Sequence, residues 1–251
     1  MKGVLLGIAP TVRIVDLTHD VAPQQIEEGA FHLRASIDAF PSGAVHVAVV
    51  DPGVGTSRRA LCVAANGALF VGPDNGLFSL ILPAAEAAWA IDNPAVVRPS
   101  ATATFHGRDL FAPAAAHLAA GSIEPHELGQ AVDVGALVRL APAVVLGNAR
   151  IAGRVVSIDR FGNCITLIER GHLEGIAPPV VIQSGGFRVE AIGRTFADVA
   201  AGGAVALIGS SGTLELAVRQ GSAAGVFGIR RGDTVTVQSR CDAALSGHAS
   251  R

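Results

Sequence analysis

Up to about residue 140, short apolar runs alternate with longer stretches that have helical spacing. The clearest run is the β-branched segment at residues 45–50, and residues 26–40 carry apolar side chains every three to four positions, which is typical of one helix face. The same patterns predict strands at residues 14–17, 69–71 and 88–91, and helices at residues 76–85 and 109–120. The alternation predicts an α/β domain whose largely parallel sheet is flanked by helices on both faces.

Beyond residue 147 the pattern changes to short apolar runs punctuated by glycine and small polar residues. Helical spacing is rare there, which predicts a smaller all-β domain, a barrel or a sandwich. Its predicted strands are residues 152–168, 180–182, 187–192, 204–208, 213–218 and 234–237. We therefore expect an α/β domain at 1–141, a linker at 142–148, an all-β domain at 148–240 and a flexible tail at 241–251.

Composition acts mainly by excluding classes of protein. Half of the 251 residues are hydrophobic, but no apolar run reaches the roughly 18 residues that would cross a bilayer. The formal net charge of −2, without any basic run, provides no electrostatic basis for nucleic-acid binding. Three scattered cysteines, Cys62, Cys164 and Cys241, form no CxxC pair, which indicates buried thiols in a reduced, cytoplasmic setting.

Charged residues make up only 16% of the chain, yet they concentrate in two glycine-containing loops, DPGVGTSRR at residues 51–59 and TFHGRD at residues 104–109. Asp51 follows a predicted buried strand directly, where open α/β sheets place ligand-binding groups. Either Arg58 or Arg59 could keep that carboxylate ionised and still bind an anion. The alternative is that Asp51 only caps a turn and that the arginines form a solvated surface pair.

His106 precedes a predicted helix, for which Asp109 is the expected N-terminal cap. The positive end of that helix would favour a neutral imidazole, which is a suitable general base near pH 7. We interpret the histidines that fall on predicted strands or helices as bystanders: His19, His32, His46 and His117. Asp51, Asp74, His106 and Asp109 are also the right types for a metal-dependent hydrolase, although they follow no recognised ligand spacing.

Several weaker candidates lie in polar turns. Asp74 and Asn75, in the segment PDNG, form either a turn with a helix cap or a substrate contact after a strand. In the all-β domain, the segments IDRFGN and GSSG interrupt apolar strands. A phenyl ring beside an amide, as at Phe161 and Asn163, could stack on a heterocycle and hydrogen-bond to it.

Together these segments carry a specific resemblance. VAVVDPGVGTSRR, VGPDNGLFSL, TFHGRDLFAPAAAHLA, SIDRFGNCIT and GSSGTLELAV occur in one order over nearly the whole chain. In that order they resemble the S-adenosyl-L-methionine (SAM) hydroxide adenosyltransferase family, relatives of the fluorinase and chlorinase. The resemblance implies an α/β domain followed by a β-barrel, and a homotrimer with active sites between subunits. It also implies hydrolysis of SAM at C5′ to adenosine and L-methionine, without a metal or cofactor.

The resemblance also implies roles for individual residues. Asp51, Arg58 and His106 match the hydrolytic triad, which the halogenating relatives lack. Asp159 and Ser210 match positions that hold the methionine end of the substrate. Phe161, Asn163 and Ala223 match the region around the adenine. Ser211 stands where some relatives have arginine.

The sequence departs from the family pattern at its start. The resemblance implies that members normally begin with a strand and a loop, about twenty residues upstream of the position of Lys2, whose aspartate binds the ribose hydroxyls. We expect either that the true start lies upstream or that this chain lacks part of the ribose site. The second case leaves an alternative function, a non-catalytic protein that binds adenosyl ligands.

Overall fold

The computed structural model describes residues 1–98, 103–147 and 149–240. It divides into two compact units, Met1–Leu140 and Ala141–Arg251. The predicted tail at 241–251, which includes Cys241, lies outside the described residues. Within the described ranges, no helix is both long and apolar enough to cross a membrane.

The described part of the first unit contains three α-helices and one four-stranded sheet. The helices are α1 (Lys2–Ile8), α2 (Ile26–Ser36) and α3 (Ala112–Ala119), the last preceded directly by a π-helical turn at Gly107–Phe111. The strands are β1 (Val45–Val47), β2 (Ala60–Ala65), β3 (Ala68–Pro73) and β4 (Ala85–Ala90). Short 3₁₀ turns occur at Ile37–Ala39, Leu82–Ala84, Pro125–Leu128 and Val134–Ala136.

The sheet of this unit is mixed, so the prediction of a largely parallel sheet is wrong. Its strand order is β1-β3-β2-β4, and among these strands only β1 and β3 pair in parallel. The reason is the two-residue turn Asn66-Gly67, whose φ angles of 51° and 69° are both positive. Such a turn joins neighbouring strands as a hairpin, and Ala65 accordingly lies opposite Ala68.

Two other predicted elements of this unit do not form. Residues 14–17 are irregular, with Val15 and Leu17 about half exposed, because no described strand pairs with them. Residues 76–85 contain no α-helix; Pro83, which lacks the backbone donor of a helix interior, lies in the short 3₁₀ turn that precedes β4.

Apolar side chains cover both faces of this sheet. On one face, Leu33 of α2 packs with Leu61, Val63 and Phe70 of the sheet. On the other, Phe111 and the alanines of α3 pack with Cys62 and Val71. The sheet is therefore held between α2 and α3, and the loops at its strand ends carry the charged residues.

The second unit is dominated by a nearly closed, barrel-like sheet. Its strands are β5 (Val145–Gly147), β6 (Arg150–Ile158), β7 (Cys164–Glu169), β8 (Val180–Ser184), β9 (Phe187–Val189), β10 (Ile192–Gly193), β11 (Ala204–Ile208), β12 (Thr213–Val218) and β13 (Thr234–Ser239). Two short helices, α4 (Arg170–Leu173) and α5 (Ala223–Phe227), accompany them. The strand order is β10-β11-β12-β7-β6-β13-β8-β9, with β5 paired to β6 and β9 packed close to β11.

The predicted strands of the second unit are largely confirmed. The bounds of β11 and β12 coincide with the prediction, whereas the single run predicted at 152–168 is two antiparallel strands, β6 and β7. Buried aliphatic side chains and Phe187 fill the interior. The polar loop at residues 159–163, which joins β6 to β7, lies beside the pocket described below.

Candidate functional site

In the first unit, Arg58 bridges Asp51 and His106. Its Nε donates hydrogen bonds to both carboxylate oxygens of Asp51, at 3.0 and 3.1 Å, and its Nη2 forms an ion pair with Oδ2. The same Nη2 lies 2.7 Å from Nδ1 of His106. The side chains of Asp51 and Arg58 are only 4% and 9% exposed. The structure therefore brings the three residues of the predicted triad into one cluster.

The loop at residues 51–59 turns Arg58 back toward Asp51. Gly55 has a φ of 81°, a conformation that favours glycine, and the Thr56 hydroxyl donates to the Gly53 carbonyl at 2.7 Å. The guanidinium then lies 5.3 Å from the centre of the fully buried Phe111 ring. That position combines a cation–π contact with the ion pair and restricts the guanidinium to one orientation.

His106 immediately precedes the π-helical turn at Gly107–Phe111, as its predicted place at a helix start requires. Burial and the adjacent Arg58 cation lower the pKa of this imidazole, although Asp51 and Asp109 partly oppose the shift. A guanidinium can only donate hydrogen bonds, so Nδ1 of His106 is the acceptor in this contact. In the neutral ring the proton therefore lies on Nε2.

Asp109 does not cap the helix, contrary to the prediction. It lies inside the π-helical turn, 3% exposed, and accepts hydrogen bonds from Nε and Nη2 of Arg108 at 2.6 and 2.7 Å. A carboxylate at that depth needs a hydrogen-bonding partner, and the guanidinium of Arg108 supplies one. Among the described residues, no group of histidine, cysteine and acidic side chains has the arrangement of a metal site.

Asp74 and Asn75 are engaged within the first unit. Oδ2 of Asp74 accepts a hydrogen bond from Nε of Arg59 at 2.8 Å, and its Oδ1 accepts one from the backbone N–H of Val138 at 2.9 Å. The arginine that pairs with Asp51 is thus Arg58, while Arg59 pairs with Asp74. Asn75 donates to the carbonyl of Val50 at 2.8 Å, so its amide braces the backbone just before Asp51.

A pocket of about 450 Å³ opens beside Asp51. His19 and His32, which the sequence presents as bystanders, both line it. Its remaining lining is mainly aliphatic, from the segments around residues 17–24 and 47–52. Of the three triad residues, Asp51 is the one that lines this cavity, whose volume suits a small ligand.

In the second unit, Asp159 organises the loop between β6 and β7. Its Oδ1 accepts the backbone N–H groups of Phe161 and Asn163, both at 2.9 Å, and its Oδ2 accepts Nδ2 of Asn163 at 2.9 Å. Gly162 has a φ of 82°, and a Cβ there would fall 1.9 Å from the Ser222 hydroxyl, so only glycine fits. This loop leaves Phe161 68% exposed.

These loop residues border a second pocket, of about 820 Å³, within the second unit. Asp159, Phe161, Asn163 and Ser210 all line it. Ala223 instead is fully buried at the start of α5, where the next residue's N–H bonds to the Gly162 carbonyl at 3.0 Å. Ala223 therefore supports the loop from behind.

Glu215 also lines this second pocket, and the sequence analysis does not single it out. It is 8% exposed in the middle of β12, and burial, with Asp159 nearby, raises the pKa of its carboxyl. The feature of the sequence that could have identified Glu215 is its place as a single acidic residue within the apolar run TLELAV.

Comparisons with known proteins agree over most of the chain. Residues 1–129 match the SAM hydroxide adenosyltransferase N-terminal domain, and residues 153–236 match the C-terminal domain of that family. The chain is 45% identical to the (R)-S-adenosyl-L-methionine hydrolase of Thermus thermophilus, over 92% of this chain and 90% of that protein. It is 40% identical to the enzyme of the same name from Salinispora arenicola, over 94% and 90%.

More distant similarity extends to a halogenating enzyme and to solved structures. The fluorinase of an Actinoplanes species is 31% identical over 94% of this chain and 91% of its own. The crystal structure of a conserved protein from Thermotoga maritima superposes with a TM-score of 0.86 at 31% identity, over 94% of this chain and 93% of that one. A conserved protein of Thermus thermophilus gives 0.75 at 40% identity, over 94% and 91%.

Proposed function

Because the chain belongs to the SAM hydroxide adenosyltransferase family, we propose that it hydrolyses S-adenosyl-L-methionine to adenosine and L-methionine. Relatives that are 40 to 45% identical over more than nine-tenths of the chain carry the name (R)-S-adenosyl-L-methionine hydrolase. The observation in the molecule that carries the proposal is the buried cluster of Asp51, Arg58 and His106 beside a cavity. The fluorinases are more distant relatives, which makes water the favoured nucleophile over halide.

The reaction needs no general acid, but it depends strongly on how the attacking water is positioned. The oxygen of water attacks C5′, the C5′–S bond breaks, and its electron pair neutralises the sulfonium to the thioether of methionine. The leaving group is therefore stable without protonation, and the proton to be removed is that of the attacking water. Holding the water in line with the C5′–S bond contributes several kcal/mol. The step moves no electrons to or from a cofactor.

The hydrogen bonds of the cluster assign its roles. Nδ1 of His106 is occupied by Arg58, so Nε2–H is a donor that can orient the water oxygen rather than a base that deprotonates it. Asp51 borders the cavity and, as a carboxylate with about four acceptor sites, retains acceptor capacity beyond its bonds to Arg58. We therefore assign proton acceptance to Asp51, orientation of the water to His106, and placement of both to Arg58.

Replacing Asp51 tests this assignment. Asp51→Asn keeps the shape but removes the proton acceptor, so we expect kcat for adenosine formation to fall by about 10²- to 10⁴-fold. The matched control is Asp38→Asn, in the same unit, whose side chain is 92% exposed; its kcat should stay at the wild-type value. The measurement is chromatographic separation of adenosine from SAM. A folded Asp51→Asn variant with the wild-type rate would refute the role of Asp51.

Two further outcomes test the reaction itself. Wild-type protein that binds SAM but forms no adenosine would favour the adenosyl-binding alternative. A 5′-halogenated nucleoside formed only with added halide would favour the fluorinase reaction. We propose that no metal is needed, so a strong chelator should leave adenosine formation unchanged.

We also propose that the protein is a homotrimer with active sites between subunits, as the family resemblance implies. The predicted catalytic residues lie in the first unit, and the predicted methionine and adenine contacts lie in the second. Light scattering during gel filtration should give three times the chain mass of 25.4 kDa. A monomer that retains full activity would refute the shared active site.

A further inference from the structure

Glu215 is a buried carboxylate without a hydrogen-bonding partner in the described ranges. It lies on β12, all six residues of which are buried. None of the residues that the structure describes donates a hydrogen bond to its side chain, although it is only 8% exposed. Burial is the main cause of its raised pKa. Its oxygens are not among the fully enclosed side-chain atoms that lack a partner, so they remain accessible from the pocket, and a ligand that enters there can pair with them.

The strand geometry directs this carboxylate into the second pocket. Glu215 lies opposite Leu207 of β11 and Ile165 of β7, and both of these line the same cavity of about 820 Å³. The Glu215 carboxylate occupies the space beside Gly209, where a Cβ would fall 1.7 Å from Oε1. Glycine at position 209 therefore leaves room for this orientation of the carboxylate.

Of the two carboxylates that line this pocket, Asp159 and Glu215, only Glu215 is left to accept hydrogen bonds from a ligand. Asp159 is already bonded to three N–H groups of its own loop. Arg194 also lines the pocket, at an exposed position, and its side chain forms no ion pair with any carboxylate of the described chain. One free carboxylate and one free guanidinium in a single pocket are complementary to the ammonium and carboxylate of an α-amino acid.

We infer that Glu215 binds the α-ammonium group of the methionine end of the substrate, with Arg194 available to its carboxylate. This inference rests on the proposed function, which supplies the substrate. The ammonium suits Glu215 better than the sulfonium does, because it donates N–H hydrogen bonds and the sulfonium has none to donate. Pairing with the sulfonium would also stabilise the ground state relative to a transition state in which that charge is vanishing.

The first test is the kinetic effect of Glu215→Gln. The ammonium keeps its charge throughout the reaction, so the contact contributes equally to substrate and transition-state binding. We therefore expect KM for SAM to rise by about 10- to 100-fold, with kcat within about twofold of the wild type. Glu174→Gln, an exposed change of the same chemistry in the same unit, should change neither constant. An unchanged KM in Glu215→Gln would overturn the inference.

The second test compares L-methionine, which carries both charges, with two inhibitors that each carry only one of them. Relative to the wild type, we expect Glu215→Gln to bind L-methionine and 3-(methylthio)propylamine, which keep the amine, more weakly and to bind 4-(methylthio)butanoate equally well. Arg194→Gln should weaken the butanoate and spare the propylamine. Equal weakening of all three compounds by Glu215→Gln would instead indicate general damage to the pocket and would refute recognition of the ammonium.

The third test displaces the carboxylate without removing it. Gly209→Ala should push the Glu215 side chain aside and raise KM, and the effect should largely disappear when combined with Glu215→Gln. Additive effects of the two changes would contradict the claim that glycine at position 209 makes room for the Glu215 carboxylate. Calorimetry with L-methionine separates this inference from the reaction: binding that is lost in Glu215→Gln supports it even without adenosine formation. If Glu215→Gln binds L-methionine as the wild type does while adenosine is still formed, the inference about Glu215 is overturned and the proposed reaction is not.

Discussion

At the scale of single residues, two adjacent arginines have different partners. Arg58 pairs with Asp51 and contacts His106, whereas Arg59 pairs with Asp74. The sequence identifies the loop and its charges, but it cannot tell which arginine faces Asp51, because the turn at Gly55 decides the direction of each side chain. Glu215 is difficult to predict for a related reason: the apolar run TLELAV indicates that it is buried, but it does not indicate whether its carboxylate faces a pocket.

The Arg58–His106 contact predicts a pH effect. Burial and the Arg58 cation hold the pKa of His106 below its ordinary 6.5, so the neutral ring persists to lower pH than in a free imidazole. Arg58→Gln removes the repelling cation and leaves Asp51 and Asp109, which raise the pKa. We expect the His106 titration, followed by NMR and assigned with His106→Asn, to move to higher pH in this variant. A shift to lower pH would contradict the electrostatic role of Arg58.

At the scale of elements, local signals succeed where one segment determines its own structure. β11 is a short apolar run between Gly203 and Gly209, and β12 begins directly after Gly212, so most of their limits follow from the pattern. β2 has the composition ALCVAA, with a single β-branched residue, and its partner and direction depend on the Asn66-Gly67 turn. That dipeptide is a strong hairpin signal, and it would have predicted the antiparallel pairing.

The contribution of the Asn66-Gly67 turn to stability can be tested by replacing Gly67. Gly67 has a φ of 69°, and a Cβ there would lie 2.9 Å from the Ser42 hydroxyl. Gly67→Ala should therefore lower the free energy of unfolding by about 1–2 kcal/mol. The control is Gly3→Ala in α1, where a Cβ meets nothing within 4 Å and alanine should be neutral or stabilising. Denaturant titration measures both. Equal stability of the two variants would show that the turn does not determine the hairpin.

At the scale of the whole molecule, the residues assigned to the proposed reaction are divided between two units, each of which has its own core. The second unit encloses its own interior of aliphatic residues around Phe187, and the pocket with Glu215, Asp159 and Arg194 lies within it. The sequence indicates this division because the spacing of apolar residues changes. Helical spacing occurs in the first unit, whereas short apolar runs typical of strands dominate the second.

This division predicts that the second unit folds and binds part of the substrate by itself. A fragment of residues 141–240 should unfold cooperatively in urea, because its core residues come from its own strands. It should bind L-methionine in calorimetry and lose that binding on Glu215→Gln, yet form no adenosine from SAM, because Asp51, Arg58 and His106 belong to the first unit. Glu174→Gln in the same fragment is the matched control. A cooperatively folded fragment that ignores L-methionine would show that amino-acid recognition requires residues outside this unit.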